Sequence, residues 1–190
     1  CKWRAVFRIP SLGGTPSDLA ITENCLQLAQ FAREAQIAGL VPLVEPELVM
    51  DGCHSIETTF NVQKKIMLAL FAALAKYDVV LADMLLKLPF TVPGIDWGIE
   101  DVNTSDEDGR LAALEHASYT VSLLEQTIPC AIPGIFFLSG GLSDQQSSIL
   151  LNSVNCLSCV GPWHLSFSFG RGHVESCDCL VQAGELRLCK

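Results

Sequence analysis

The chain has 190 residues, enough for one domain with a sizeable core. Apolar residues make up 49% of it, mean hydropathy is +0.36 and only 17% of residues are charged. The formal net charge is −9 and no Lys/Arg run exists, which argues against a nucleic-acid partner; no apolar run reaches the roughly 18 residues needed to span a bilayer, which argues against a membrane one.

Taken in order, residues 3–9 alternate and predict a first strand, with Lys2, Arg4 and Val6 sharing one face. Pro10 to Gly14 reads as a turn. Thr15 then caps a helix whose first helical position is Pro16. The helix runs to Ala38, with Leu19, Leu26, Ala29 and Ala32 near helical spacing, and Gly39 ends it. Residues 40–48 predict a second strand and Asp51-Gly52 a turn. A helix over 54–77 carries Ile66, Leu70 and Leu74 on one stripe. Residues 79–87 predict a third, buried strand that ends on Lys87. The acidic, turn-rich stretch 89–109 has a length that in compact domains usually marks function. A helix over 111–126 follows. Residues 131–138 lead into a fourth strand ending in Ser139-Gly140-Gly141, and Ser143 caps a helix over 144–156. Residues 163–169 alternate as a fifth strand, followed by Gly170-Arg171-Gly172. Residues 173–190 show no clear period.

The order βαβαβαβαβ implies a parallel sheet of the α/β class with right-handed crossovers. Strands covered on both faces account for the high apolar content, and part of it is available for an interface. No Gly-x-Gly-x-x-Gly follows the first strand, and no Gly-x-x-x-x-Gly-Lys-Ser/Thr occurs. The nine cysteines are odd in number and irregularly spaced, so most read as reduced cytosolic thiols packing as small hydrophobes. Cys156-x-x-Cys159 and Cys177-x-Cys179 depart from the usual zinc spacing, and no metal or other cofactor is expected.

In parallel α/β sheets chemistry collects at the carboxyl ends of strands. Those ends carry Glu45 and Glu47, then Lys87, then Ser139 and Gly140, then Ser168, Gly170 and Arg171, with Lys2 and Arg4 on the first strand. An ammonium held among Leu85, Leu86 and Leu88 loses hydration, which favours the neutral amine. A neutral amine is a nucleophile toward carbonyls. Alone, Lys87 reads first as a strand-end lysine that snorkels to water. Together with a neighbouring carboxylate, a glycine-flanked turn and an arginine fork, it forms a coherent site for a phosphorylated carbonyl compound.

The residues Lys2-Trp3-Arg4, residues 39–47 (Gly-Leu-Val-Pro-Leu-Val-Glu-Pro-Glu), Leu85-Leu86-Lys87, residues 133–141 (Pro-Gly-Ile-Phe-Phe-Leu-Ser-Gly-Gly) and residues 163–171 (Trp-His-Leu-Ser-Phe-Ser-Phe-Gly-Arg) resemble class I fructose-bisphosphate aldolase, in that family's order. The resemblance implies the C-terminal part of a (β/α)8 barrel: residues 1–172 as its fourth to eighth strands, residues 173–190 as a divergent tail. It implies a glycolytic lyase that cleaves fructose 1,6-bisphosphate to dihydroxyacetone phosphate and glyceraldehyde 3-phosphate without a metal. Lys87 falls at the Schiff-base lysine, Glu45 at the acid/base glutamate and Glu47 at a second glutamate near that lysine. Lys2 and Arg4 match substrate-contacting cations. Ser139, Gly140, Gly170 and Arg171 match the ketose 1-phosphate site, and Ser168, at the end of the fifth strand, is a further substrate-binding candidate. The family also implies oligomerisation, and a cytoplasmic location with the plastid as the alternative.

The departures are specific. The family's first three strands have no counterpart, and with them go its catalytic aspartate and a further lysine. Ala82-Asp83-Met84 replaces Glu-Gly-Thr before the leucines, and Leu88-Pro89 replaces Pro-Asn after the lysine. The stretch between Lys87 and Ser139 is about ten residues longer than usual. The chain therefore reads as a fragment with weak or no activity alone. The alternative is a truncated, non-catalytic paralogue that binds a phosphosugar or a protein.

Overall fold

Five short β-branched and leucine-rich runs pair into one parallel sheet: β1 (Lys2–Phe7), β2 (Leu43–Leu48), β3 (Leu85–Pro89), β4 (Gly134–Leu138) and β5 (His164–Phe167), in the spatial order of the sequence. The computed structural model describes residues 1–10, 16–98, 102, 107–157 and 161–169. Between the strands run α1 (Asp18–Ile37), α2 (Ile56–Lys76), the single turn α3 (Ile95–Gly98), α4 (Glu107–Thr127) and α5 (Asp144–Leu157). Neighbouring long helices touch in the order α1, α2, α4, α5, so they form one layer. The result is a parallel α/β half-barrel: helices outside, one sheet face left for the inner side. β1 and β5 are its two edges.

Alternation along each strand sorts the side chains. Ala5, Phe7, Val44, Leu48, Leu86, Leu88, Ile135 and Phe137 point to the helices and are buried. The helices answer with Leu28, Ala29, Ala32, Ile66, Leu70, Leu74, Ala117 and Leu124, all in the same core. The Ile66, Leu70, Leu74 stripe is fully buried as its spacing predicts. Leu19 is not part of the α1 stripe and stands 70% exposed; the buried line is Ile21, Cys25, Leu28, Ala32, Ala35, a better fit to the helical period.

Several boundaries differ from the sequence expectation, each for a local reason. Ser17, not Thr15, caps α1: its Oγ accepts from the Ala20 N–H at 3.1 Å. Thr15 and the rest of the turn at 11–15 lie outside the described residues. The second strand starts at Leu43 rather than residue 40, because the Leu40 N–H is bonded to Ala35 O and Pro42 has no N–H. Residues 79–84 are not strand. The Gln36 side chain takes both backbone groups of Val80, at 3.0 and 2.8 Å, and Leu81–Asp83 closes a 3-10 turn. With its ladder groups spent on Gln36, that segment cannot pair in the sheet. β3 therefore begins at Leu85, and Lys87 lies at its centre rather than its end.

The loops after β2 and β3 are stitched together. Ile95, Asp96 and Gly94 donate their N–H groups to Met50, Gly52 and His54 carbonyls at 2.8, 3.1 and 2.9 Å. A Cβ on Gly94 would stand 2.2 Å from Gly52 O, so only glycine permits this approach. Gly94→Ala is expected to force the loops apart and lower unfolding free energy by about 1–3 kcal/mol. A urea midpoint equal to that of the parent chain would refute the close approach.

The cysteines do not all pack as expected. Cys25 is buried, with its Sγ 3.7 Å from Ile66 O, and burial pushes its thiol up to about 12. Cys1, Cys53, Cys130 and Cys156 are exposed, because they fall on loops and outward helix positions; the other four lie outside the described residues. Among the described residues no helix is long and apolar enough to cross a membrane.

Candidate active site

The inner face of the sheet carries the charged residues. Register sets Arg4 beside Glu45 and Val6 beside Glu47 on β1 and β2. Leu43 and Val44 pair with Leu85 and Leu86, and one further step of that register brings Glu45 level with Lys87. Lys87 in turn pairs with Phe136 on β4, which pairs with Ser166 on β5. The period of two that buries Val44 and Leu86 against the helices thus puts Glu45 and Lys87 on the opposite side.

Glu45 is the hub. One carboxylate oxygen, Oε1, lies 3.4 Å from Lys87 Nζ, and Oε2 lies 2.9 Å from Lys2 Nζ. The second contact is an ion pair without aligned hydrogen-bond geometry. Arg4 Nε pairs with Glu47 Oε2. Both cations of β1 thus lean one row toward the carboxyl end of β2. Exposure separates the partners: the glutamate side chains are 4% exposed and that of Lys87 12%, while Lys2 and Arg4 are 46% and 42% exposed. The buried Glu45 carboxylate thus lies between two ammonium groups, one nearly buried and one half exposed.

Lys2, Glu45 and Lys87 are therefore in direct contact. Glu47 sits two residues further along β2, and its ion pair is with Arg4. Ser139 and Gly140 follow β4 directly, on the strand next to the lysine. Ser139 is buried, and the turn closes through Gly141 N and Leu142 N donating to Ser139 O at 2.9 and 3.0 Å. Gly140 and Gly141 have φ of +68° and +150°, which an L side chain adopts only with strain. Ser168 is half-buried just beyond β5, its N–H donating to Phe137 O at 2.8 Å. Gly170 and Arg171 lie outside the described residues, as does the tail 173–190.

Met50 has no role in the sequence reading but buttresses this end of the sheet. Its carbonyl accepts from Ile95 N, and its sulfur lies 3.7 Å from where a Gly140 Cβ would stand. One residue thus touches the loops after β3 and β4. A single methionine between a strand and a turn has no periodic signal that would have marked it.

Two buried histidines lie near the same end. His54 Nδ1 is 2.9 Å from Thr59 Oγ1, and burial draws its imidazole below the ordinary range. His116, 5% exposed, is drawn down to about 4 by desolvation. A histidine whose folded pKa lies below its unfolded value contributes stability above that unfolded value and loses it as pH falls. Between pH 6.5 and about 4, His116 is expected to remove about 3 kcal/mol of stability, with His54 acting in the same direction. Urea midpoints of the chain and of His116→Leu at pH 7.5 and 5 measure this; an equal acid-induced loss in both would refute it.

The class I fructose-bisphosphate aldolase family model matches residues 1–183. Curated relatives include fructose-bisphosphate aldolase 4, cytosolic, of Arabidopsis thaliana, 39% identical over 175 residues, covering 92% of this chain and 42% of the relative. The fructose-bisphosphate aldolase of Dictyostelium discoideum is 42% identical over 170 residues, covering 90% of this chain and 44% of its own length. Among solved structures, fructose-bisphosphate aldolase from Plasmodium falciparum, in complex with TRAP and a small-molecule inhibitor, aligns with a TM-score of 0.83 at 39% identity, over 92% of this chain and 47% of that one. The chain spans under half the length of these relatives. It belongs to the class I fructose-bisphosphate aldolase family.

Proposed function

We propose that this chain supplies the Schiff-base portion of a fructose 1,6-bisphosphate aldolase. The observation that carries the proposal is the contact of Glu45 with both Lys87 and Lys2 on the inner sheet face. Lys87 Nζ adds to the C2 carbonyl of the ketose to give a carbinolamine. Glu45, as the carboxylate, takes the proton that the adding nitrogen sheds and passes it to the carbinolamine hydroxyl; water leaves and an iminium forms. The C3–C4 electron pair then flows into the iminium, releasing glyceraldehyde 3-phosphate and leaving an enamine. Protonation and hydrolysis of the enamine release dihydroxyacetone phosphate and return the amine. The family's catalytic aspartate has no counterpart in these five strands, so the isolated chain is expected to form the imine far better than it turns over.

The charge balance supports a phosphorylated substrate. Lys2, Arg4 and Lys87 face Glu45 and Glu47, a local excess of one positive charge in a chain of net −9. Ser139, Gly140, Gly170 and Arg171 are the residues assigned to the 1-phosphate, with Ser168 beside them as a further substrate contact. Glu47 is assigned to holding Arg4 rather than to the lysine. The relatives are named as cytosolic and as chloroplastic aldolases, and a cytoplasmic setting and an oligomeric full-length enzyme belong to the same reading.

Dihydroxyacetone phosphate with borohydride tests it. The expected result is one adduct, located by peptide mass at Lys87. A folded, phosphate-binding chain with no adduct would overturn the assignment and favour the non-catalytic paralogue. Turnover of roughly 1–1000 per second by the chain alone would instead rule out the paralogue.

A further inference from the structure

A second cleft lies at the same end of the sheet, on its helix-covered side. It is a cavity of about 410 Å³ lined by Ser55 and Glu57 of the α2 N-terminal turn, Pro93, Trp97 of α3, and Glu115 and His116 of α4. Its volume is in the range of small-molecule sites, roughly 300–1,000 Å³. None of the residues assigned to the sugar phosphate lines it.

Its chemistry has one sign. Glu57 and Glu115 are its only ionised side chains, and among the described residues neither has a lysine or arginine partner. The two carboxylates flank one phenol: the Tyr119 hydroxyl donates to Glu57 Oε1 at 3.3 Å, and desolvation, then the two negative charges, raises its pKa. The Ser55 hydroxyl and the Glu57 backbone hold the Glu57 carboxyl below its usual range, so it stays charged. The indole of Trp97 is 56% exposed, an unusual position for the largest apolar side chain on a single-turn helix. His116 is 5% exposed, yet its Nδ1 has no hydrogen-bond partner. Buried polar atoms in native proteins are nearly always paired, and this nitrogen is not; with the ring proton on Nε2 it is an acceptor.

An aromatic face, two carboxylates and an unpaired ring nitrogen suit the same thing: a positively charged donor on an apolar stem. The carboxylates form charge-assisted hydrogen bonds with it and the indole attracts its charge. Anions are excluded by the same two carboxylates. We infer that this cleft binds a small organic cation, an ammonium or guanidinium group on a short alkyl chain.

Calorimetric titration of the 190-residue chain with butylammonium and butylguanidinium chlorides tests this, with sodium butyrate as the matched anion. Saturable binding of at least one cation and none of butyrate is expected. Glu115→Gln and Trp97→Ala each weaken it by roughly tenfold or more. Lys87→Met leaves it unchanged, because the cleft does not touch the lysine. Both cleft residues are exposed, so the variants are expected to keep the parent circular dichroism spectrum. Absence of saturable binding by either cation overturns the inference, as does binding that survives both cleft substitutions or is lost with Lys87→Met.

Discussion

Lys87→Met is expected to abolish the borohydride-trapped adduct of dihydroxyacetone phosphate, to reagent background, while the chain still folds. Methionine matches the stem of lysine and removes only the amine. The buried Glu45 carboxylate would be left stranded if Lys87 were its sole partner, at a cost of about 3–5 kcal/mol. Lys2, 2.9 Å away on the other oxygen, keeps it paired. Glu45→Gln separates the roles further. It keeps the shape and leaves the amine in place, but it cannot donate a carboxyl proton to the carbinolamine. The rate of adduct formation is then expected to fall by about 10²–10⁴. Labelling of Lys87→Met at another lysine would sink the assignment, and an unchanged rate in Glu45→Gln would remove Glu45 from the chemistry.

Phe137→Ala is expected to cost about 3–5 kcal/mol of unfolding free energy, the largest stability effect of any substitution argued for this chain. Phe137 is fully buried and its ring lies parallel to that of Phe90, with centroids 4.5 Å apart. Phe90 follows β3, the lysine strand, and Phe137 belongs to β4, so the stacked pair ties the two strands on the helix side. Close packing around both rings leaves no neighbour free to fill the space. Against a typical total of about 5–15 kcal/mol for a natural domain, the loss is a large fraction. A urea series in which the variant loses less than about 1 kcal/mol would show that the ring is dispensable.

The sequence determined the order of elements, the parallel sheet, the helix stripe of Ile66, Leu70 and Leu74, and the family. These rest on short-range periods and on motifs that survive in order, and both are visible in one dimension. It also placed Lys87, Glu45 and Lys2 on strands that turned out to be neighbours. It started the lysine strand too early, because the amide of Gln36, some forty residues upstream, claims the backbone of Val80. It made Leu19 part of a core that the helix turns away from. Tertiary structure alone decided which carboxylate the lysine meets. Glu45 and Glu47 share one strand face, and nothing in their local sequence distinguishes them. The parallel register, with Leu43 beside Leu85, sets Glu45 level with Lys87 and leaves Glu47 to Arg4. The cation cleft was equally out of reach of the sequence: Glu57, Trp97 and Glu115 come from three separate helices, and only their packing gives them a common cavity.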